Sequence, residues 1–327
     1  MVEAVGELVP DAGNSVRALF VLLVCLTASA ADLRVGVIGT DTSHATAFSQ
    51  VLNDPNSPDH VAGARITGAY KGGSADLMHS AERVDKFAEE MRTKWGVKFY
   101  DDIPSLCKDV DAILLLSVDG RVHLAQFKQV LAARKPVFLD KPLASSLADA
   151  KEIAKLAKDA GVPWFSASSL RYGDVATKMA VPAGAGVTTF GPGPLEPLFP
   201  IQLSYYGIHA VELLYSLMGP GCEEVTRMTT PAEDAMTCRW SDGRIGVARL
   251  LRPGNGKYGA AVLGPKGMIQ SQPDWKEGYA PLLVKIIEFF QTGKPPVAPG
   301  ETLEIISFLD AAERSSKGGG VPVKLLR

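Results

Sequence analysis

From Leu33 to about Ala167, short apolar or β-branched runs alternate with segments whose apolar residues recur every three or four positions, and this alternation constrains the fold more than any other feature. The runs Leu33–Ile38, Arg65–Tyr70, Ala112–Leu116, Pro136–Leu139 and Pro163–Ser166 predict strands. Ser80–Trp95, Val122–Arg134 and Ser146–Ala160 predict helices, the last stopped by Gly161. Strands joined by helical crossovers of this length lie parallel, with helices on both faces of the sheet. The expectation is an α/β chain whose residues 31–167 form a Rossmann-type doubly wound parallel sheet.

The pattern changes after Arg171. Val181–Pro200 is rich in Gly and Pro and reads as a long surface loop. Five strands are then expected at Glu224–Thr229, Ala235–Trp240, Ile245–Leu251, Tyr258–Leu263 and Met268–Ser271. Their links Ser241-Asp242-Gly243-Arg244 and Gly264-Pro265-Lys266-Gly267 carry hairpin turn chemistry and predict an antiparallel meander. Helical patterns at Pro281–Gln291 and Thr302–Ser315 follow, so residues 168–327 read as an α+β domain with a mainly antiparallel sheet.

At the N-terminus, Arg17 precedes an apolar run, Ala18–Leu26, that is too short to span a bilayer. Ala28-Ser29-Ala30 then supplies the small-x-small pattern of a signal peptidase site. Residues 1–30 read as a Sec-type signal peptide, which predicts an exported protein beginning at Ala31, periplasmic or extracellular, with no membrane partner after cleavage. The competing reading, a buried first element of the fold, sits badly with a strand that already begins at Leu33. Export leaves Cys107, Cys222 and Cys238. The latter two flank a predicted hairpin, but a turn centred on Ala232 and Glu233 puts them out of register, so all three read as small buried hydrophobes. The five histidines lack the paired spacings of a metal site. A formal charge of -2 with dispersed Lys and Arg leaves no basic face for nucleic acid.

Several segments, in order, resemble the Gfo/Idh/MocA oxidoreductases. They are Val35-Gly36-Val37-Ile38-Gly39; Asp111–Leu116 with His123 downstream; Lys135-Pro136-Val137-Phe138-Leu139-Asp140-Lys141-Pro142-Leu143-Ala144; Gly207-Ile208-His209; and Pro295-Pro296 before the closing helix. The third matches the family's G-K-x-V-x-x-E-K-P-L-A, with Asp140 in place of Glu. The resemblance implies an NAD or NADP cofactor, hydride transfer with a sugar or cyclitol-type substrate, and a homo-oligomer built on an open sheet face.

The cofactor residues implied are Gly39, Thr40, Asp41, Thr42 and Ser43 in the first βα turn, with Lys71 and Lys141. Only the first glycine of the turn is present; Asp41 and His44 stand where the later two would be. A carboxylate about 5 Å from a pyrophosphate charge costs on the order of 3 kcal/mol at an effective dielectric of about 20. Two readings of Asp41 stand side by side. Either it caps the next helix and takes the anion's place, or it turns away while Thr40, Thr42 and Ser43 bond the phosphates. Lys71, at the end of the second strand where NAD sites place an acid, either pairs a 2′-phosphate or is a solvated lysine in a glycine turn.

For chemistry, the resemblance implies a proton-handling set of Lys141 and His209 with an Asp four residues before the His. Tyr205 occupies that position, and the nearest carboxylate is Glu212, one helical turn after His209. Tyr205 is an acid candidate and a poor base unless Lys141 lowers it. Arg171 and Tyr172, resembling an R-[FY] element, are candidate substrate residues with Glu212. Three functions follow from these residues. One is an NAD(P)-dependent oxidoreductase; the second is a non-redox exported binding protein that keeps the fold and has lost the cofactor; the third keeps the cofactor bound and uses transient oxidation to drive hydrolysis or elimination.

Overall fold

The computed structural model describes residues 31–252, 256–265 and 267–327; the expected signal peptide at 1–30 and Lys266 of the second predicted turn lie outside them. The first half comprises β1 (Leu33–Ile38), α1 (Ser43–Asn53), β2 (Ala64–Tyr70), α2 (Met78–Ala81), α3 (Val84–Trp95), β3 (Lys98–Tyr100), α4 (Ile103–Asp109), β4 (Ala112–Leu115), α5 (His123–Val130), β5 (Val137–Leu139), α6 (Leu147–Ala160) and β6 (Trp164–Phe165). The second comprises α7 (Asp174–Lys178), β7 (Gly186–Pro192), α8 (Gly207–Met218), β8 (Cys222–Thr229), β9 (Glu233–Trp240), β10 (Ile245–Leu251), β11 (Gly259–Gly264), β12 (Gly267–Gln270), α9 (Ala280–Thr292), α10 (Pro299–Lys317) and β13 (Val323–Lys324).

The six parallel strands run β3-β2-β1-β4-β5-β6, the doubly wound order expected of a Rossmann sheet. A parallel sheet is covered on both faces, which is why β4 and β5 are continuous apolar runs with every residue buried. Residues of α4, α5 and α6 cover one face. The other is covered by α1, by Met91 of α3, and by Leu282, Leu283, Ile286, Phe289 and Phe290 of α9, which comes from far down the chain. Both β3 and α4 went unread in the sequence because three and seven residues are too few to show a period. The N-terminus of α4 is nevertheless marked: Asp102 accepts from Ser105 N at 2.7 Å, and Pro104 sits in the first turn.

The second sheet runs β12-β11-β7-β10-β9-β8-β13. It corrects two expectations. Val181–Pro200 is not wholly a loop, because β7 lies inside it as an interior strand. Val187, Thr189 and Gly191 alternate inward, and the glycine that disguised the pattern is needed: a Cβ at Gly191 would lie 2.2 Å from the Tyr258 ring. The meander is accordingly interrupted. Strands β8, β9 and β10 are antiparallel neighbours, but β10 then pairs in parallel with β7, which separates it from β11. One face packs on α8 and α10, while Phe190, Met228, Ile245, Leu251, Leu263 and Met268 are solvent-exposed apolar residues of this sheet.

The cysteine reading is also corrected. Thr229 pairs with Asp234, which moves the hairpin turn toward Pro231, and a bulge between Cys222 and Glu224 shifts the register again. Cys222 thus faces Trp240, two residues from Cys238 on the same inward face, and the two cysteines form a disulfide with Cα atoms 6.0 Å apart. Closing sixteen residues contributes about 3 kcal/mol by restricting the unfolded chain. Cys107 is a buried thiol whose pKa burial raises to about 11.

Among the described residues no helix is long and apolar enough to cross a membrane, and no group of His, Cys, Asp and Glu is arranged to hold a metal ion.

Candidate active site

Open α/β sheets bind ligands beyond the carboxyl ends of their strands, where the strand order reverses. Here that edge lies between β1 and β4. The turn after β1, the loop after β5 and the start of α8 line a partly open cavity of about 210 Å³, together with Tyr258, Glu277 and Tyr279.

Lys141 reaches this cavity from the loop after β5. Burial lowers its pKa, with Asp140 pulling the other way. Its Nζ lies 5.9 Å from the centre of the Tyr206 ring, which also lines the cavity. Asp140 is buried and fully engaged: Oδ1 accepts from Lys141 N at 2.8 Å, and Oδ2 lies 2.6 Å from His44 Nδ1. Burial opposes its ionisation, but His44 and then Lys141 outweigh burial and hold its pKa below the ordinary value. His209, at the start of α8, places Nδ1 2.7 Å from Ser168 Oγ. Burial, followed by the charges of Lys141 and His44, drives its pKa well down, so it is neutral at physiological pH.

Tyr205 lines the same cavity, ringed by Phe199, Tyr206 and His79. Its pKa is raised by burial and then by Tyr206, and Lys141 is not among its perturbing groups. Burial thus disfavours the phenolate and keeps the phenol a donor. The three expected substrate residues lie elsewhere. Arg171 Nε donates to the buried Glu212 at 2.9 Å and its Nη1 lies 2.6 Å from the half-buried Glu301, so the guanidinium is held between two carboxylates. Tyr172 borders a separate cavity of about 710 Å³ beside Trp275. None of Arg171, Tyr172 and Glu212 lines the cavity that holds Lys141 and His209.

The cofactor turn answers part of the question that Asp41 raised. Its carboxylate does not cap α1; Thr42 does, accepting from His44 N at 3.3 Å. Asp41 is turned inward, where it accepts from Ser80 Oγ at 2.6 Å and Val118 N at 3.1 Å. Thr40 donates its hydroxyl to the carbonyl oxygens of Lys71 and Val84 and is fully buried, so it does not serve a phosphate. Lys71 pairs with Asp85 at 2.7 Å on the surface. Gly39 keeps the role a dinucleotide turn requires: its φ is +91°, and a Cβ would lie 2.5 Å from the Ser117 backbone. The start of α1, with Ser43 exposed and Thr42 and Ser43 on the cavity wall, fits the nicotinamide-bearing end of a dinucleotide. Toward β2, the segment Gly72–Val84 lies over the turn, with Leu77 wedged against Phe199 and Tyr205. Room for the adenosine end requires that segment to shift.

Sequence reasoning missed His44, Asp140, Tyr258, Glu277 and Tyr279 as parts of the site. The signal for His44 was present as an ionisable residue at a glycine position. The last three come from a segment with no motif. His123, at the start of α5, places its ring nitrogens 3.1 Å from Leu143 O and 2.7 Å from Ser117 O, joining two loops.

The Gfo/Idh/MocA family profile, described as "Oxidoreductase family, NAD-binding Rossmann fold", matches residues 33–168. An inositol 2-dehydrogenase of Mycolicibacterium gilvum (strain PYR-GCK) is 30% identical over 146 residues, 44% of this chain and 37% of that protein. The alignment thus spans well under half the length of this curated relative. A probable dehydrogenase from Thermotoga maritima superposes with a TM-score of 0.69 at 23% identity, covering 89% of this chain and 99% of its own. The myo-inositol dehydrogenase of Lactobacillus casei, crystallised with NAD(H) and myo-inositol, gives a TM-score of 0.69 at 17% identity over 91% of this chain and 98% of its own. At such identities the structural likeness speaks for the fold, and the sequence match speaks for the Rossmann half. Taken with the strand order and the Lys141 loop, these matches show over residues 33–168 an NAD-binding Rossmann fold similar to that of the Gfo/Idh/MocA oxidoreductases.

Proposed function

We propose that this chain is a nicotinamide-dependent oxidoreductase that oxidises a secondary hydroxyl of a cyclitol or sugar, or catalyses the reverse reduction. The observation that carries this reading is the half-buried Lys141, its pKa lowered by desolvation, sharing one cavity with His44 and His209 beside the first βα turn. The bound cofactor supplies hydride acceptance. The chain supplies the polar groups that orient a hydroxyl and handle its proton. The similarity to inositol 2-dehydrogenases supports a cyclitol as the first substrate to try.

Titration of the protein with NAD+, NADH, NADP+ and NADPH, followed by nucleotide fluorescence and calorimetry, is expected to give micromolar binding of at least one pair. Ser80→Ala removes a hydrogen bond to the Asp41 carboxylate and loosens the covering segment, so it is expected to tighten binding. An absence of binding at millimolar nucleotide, in both proteins, sinks the redox reading and leaves a Rossmann-shaped binding protein with its ligand around His209.

We further propose that the mature chain begins at Ala31 outside the reducing cytoplasm. The Cys222–Cys238 disulfide supports this, since structural disulfides persist in oxidising compartments. Arg17 stands without a second arginine beside it, so passage would be unfolded and the cofactor would be acquired after export. Intact mass of the unreduced protein from the cell envelope is expected to match Ala31–Arg327 less two hydrogens. A full-length mass with three free thiols in the mature region argues for the cytoplasm instead.

A further inference from the structure

Two imidazoles face the cavity, and their Nδ1 atoms have partners of opposite character. The Asp140 carboxylate beside His44 Nδ1 only accepts, so that nitrogen carries the proton and the lone pair of neutral His44 sits on Nε2. Ser168 Oγ, beside His209, already accepts from Leu170 N at 3.2 Å. Among the described residues, His209 Nδ1 is the acceptor placed for the remaining hydroxyl proton, at 2.7 Å. His209 Nδ1 therefore accepts, and its Nε2 carries an N–H. One imidazole offers a lone pair, the other a donor.

We propose that His44, oriented by Asp140, is the catalytic base that takes the substrate hydroxyl proton, and that His209 donates a hydrogen bond to the substrate without taking a proton. This reverses the assignment that the sequence suggests, and it rests on reading the cavity as an alcohol-oxidising site. The secondary alcohol carbon becomes a ketone carbon. Its hydrogen leaves with two electrons to an oxidised nicotinamide, the co-reactant, while the O–H bond breaks and the proton goes to His44 Nε2. Asp140 keeps its negative charge and stabilises the imidazolium so formed, the division of labour found in a carboxylate–imidazole dyad.

Two departures from the family pattern are then one rearrangement. Position 205 has a phenol held protonated by burial where the resemblance implies an aspartate. Position 44 has an imidazole where a dinucleotide turn has glycine, and its ring is fixed by stacking on Phe48 at 5.1 Å and by the edge contact of Tyr279 at 4.9 Å. Carboxylate-supported proton transfer has moved from the start of α8 to the start of α1. The chain pairs the two changes: Asp140, the shorter acid at the Glu position of the strand motif, is the residue that engages His44.

The decisive measurement is a long-range 1H–15N imidazole correlation on the uniformly labelled protein at mildly alkaline pH, assigned with His44→Gln and His209→Gln. The expected result is the Nδ1–H tautomer at His44 and the Nε2–H tautomer at His209; the Nε2–H tautomer at His44 overturns the proposal. In parallel, His44→Ala is expected to lower turnover of myo-inositol with NAD+ by roughly 10²–10⁴-fold and to recover part of the loss with added imidazole. Wild-type turnover by His44→Ala overturns the proposal equally. Should the wild type neither bind nucleotide nor oxidise myo-inositol, the functional reading fails, while the tautomers still decide whether His44 is the base-ready imidazole.

Discussion

Lys141→Met is expected to lower kcat by about 10²–10³-fold, the loss that follows removal of one preorganised hydrogen-bond donor to the reacting oxygen, with KM for the alcohol changed far less. The physical ground is the burial of the amine. An ammonium in this cavity is disfavoured by desolvation and only partly restored by Asp140, so the side chain exchanges its proton more readily than a surface lysine. Methionine keeps the volume and removes the function. Asp140 retains His44 and the Lys141 backbone N–H as partners, so the variant is expected to fold. A pH series separates this loss from damage to the structure. Because the folded chain holds its proton on Lys141 less tightly than the unfolded chain, unfolding free energy rises with pH between the lowered value and the ordinary lysine value. Wild type has that slope and the Met variant lacks it. Turnover within roughly threefold of wild type, against the hundredfold or more that a preorganised donor to the reacting oxygen supplies, sinks the role assigned to Lys141.

Arg171→Met is expected to do the opposite: it unfolds the protein at lower temperature and leaves KM of the folded fraction unchanged. Glu212 and Glu301 face the guanidinium from α8 and α10, and the pKa of Glu212 is already raised by burial despite Arg171. Removing the cation leaves the buried Glu212 carboxylate uncompensated beside the half-buried Glu301, a loss of about 3–5 kcal/mol. At roughly 2–4 °C per kcal/mol, Tm falls by on the order of 10 °C. Acid is expected to narrow the gap between variant and wild type, since protonating the stranded carboxylates removes the charge they cannot bury. A variant with unaltered Tm and a KM raised at least about tenfold, or some 1.4 kcal/mol of lost binding, restores the substrate role that the sequence suggested.

The Rossmann half was legible because its strands are buried on both faces and show as uninterrupted apolar runs. The second half was legible strand by strand and not in its order. The pairing of β7 with β10 is a long-range contact between a Gly- and Pro-rich segment and a chain roughly sixty residues on, and no local pattern encodes it. The disulfide escaped for a related reason, since one bulged residue decides whether Cys222 and Cys238 meet. In the site, Lys141 and His209 were readable from motif spacing, whereas Arg171 and Glu212 looked functional by position and are an ion pair by geometry. His44 and Asp140 lie ninety-six residues apart, so the sequence shows two unexplained residues and only the fold shows a pair.

Helix α9 also bears on how this chain comes to be folded. Phe165, at the last strand of the parallel sheet, packs against Phe289, 5.0 Å between ring centres. The sheet is complete in sequence before residue 170, yet one of its faces waits for Leu282–Phe290 to arrive. A growing chain that has produced all six strands still displays an apolar surface that nothing made so far can cover. Folding of the Rossmann layer is thereby tied to the end of synthesis, because loop closure over more than a hundred residues must precede burial. On the export proposed above, this delay is an advantage: the order of the elements withholds the finished fold until nearly the whole chain is available on one side.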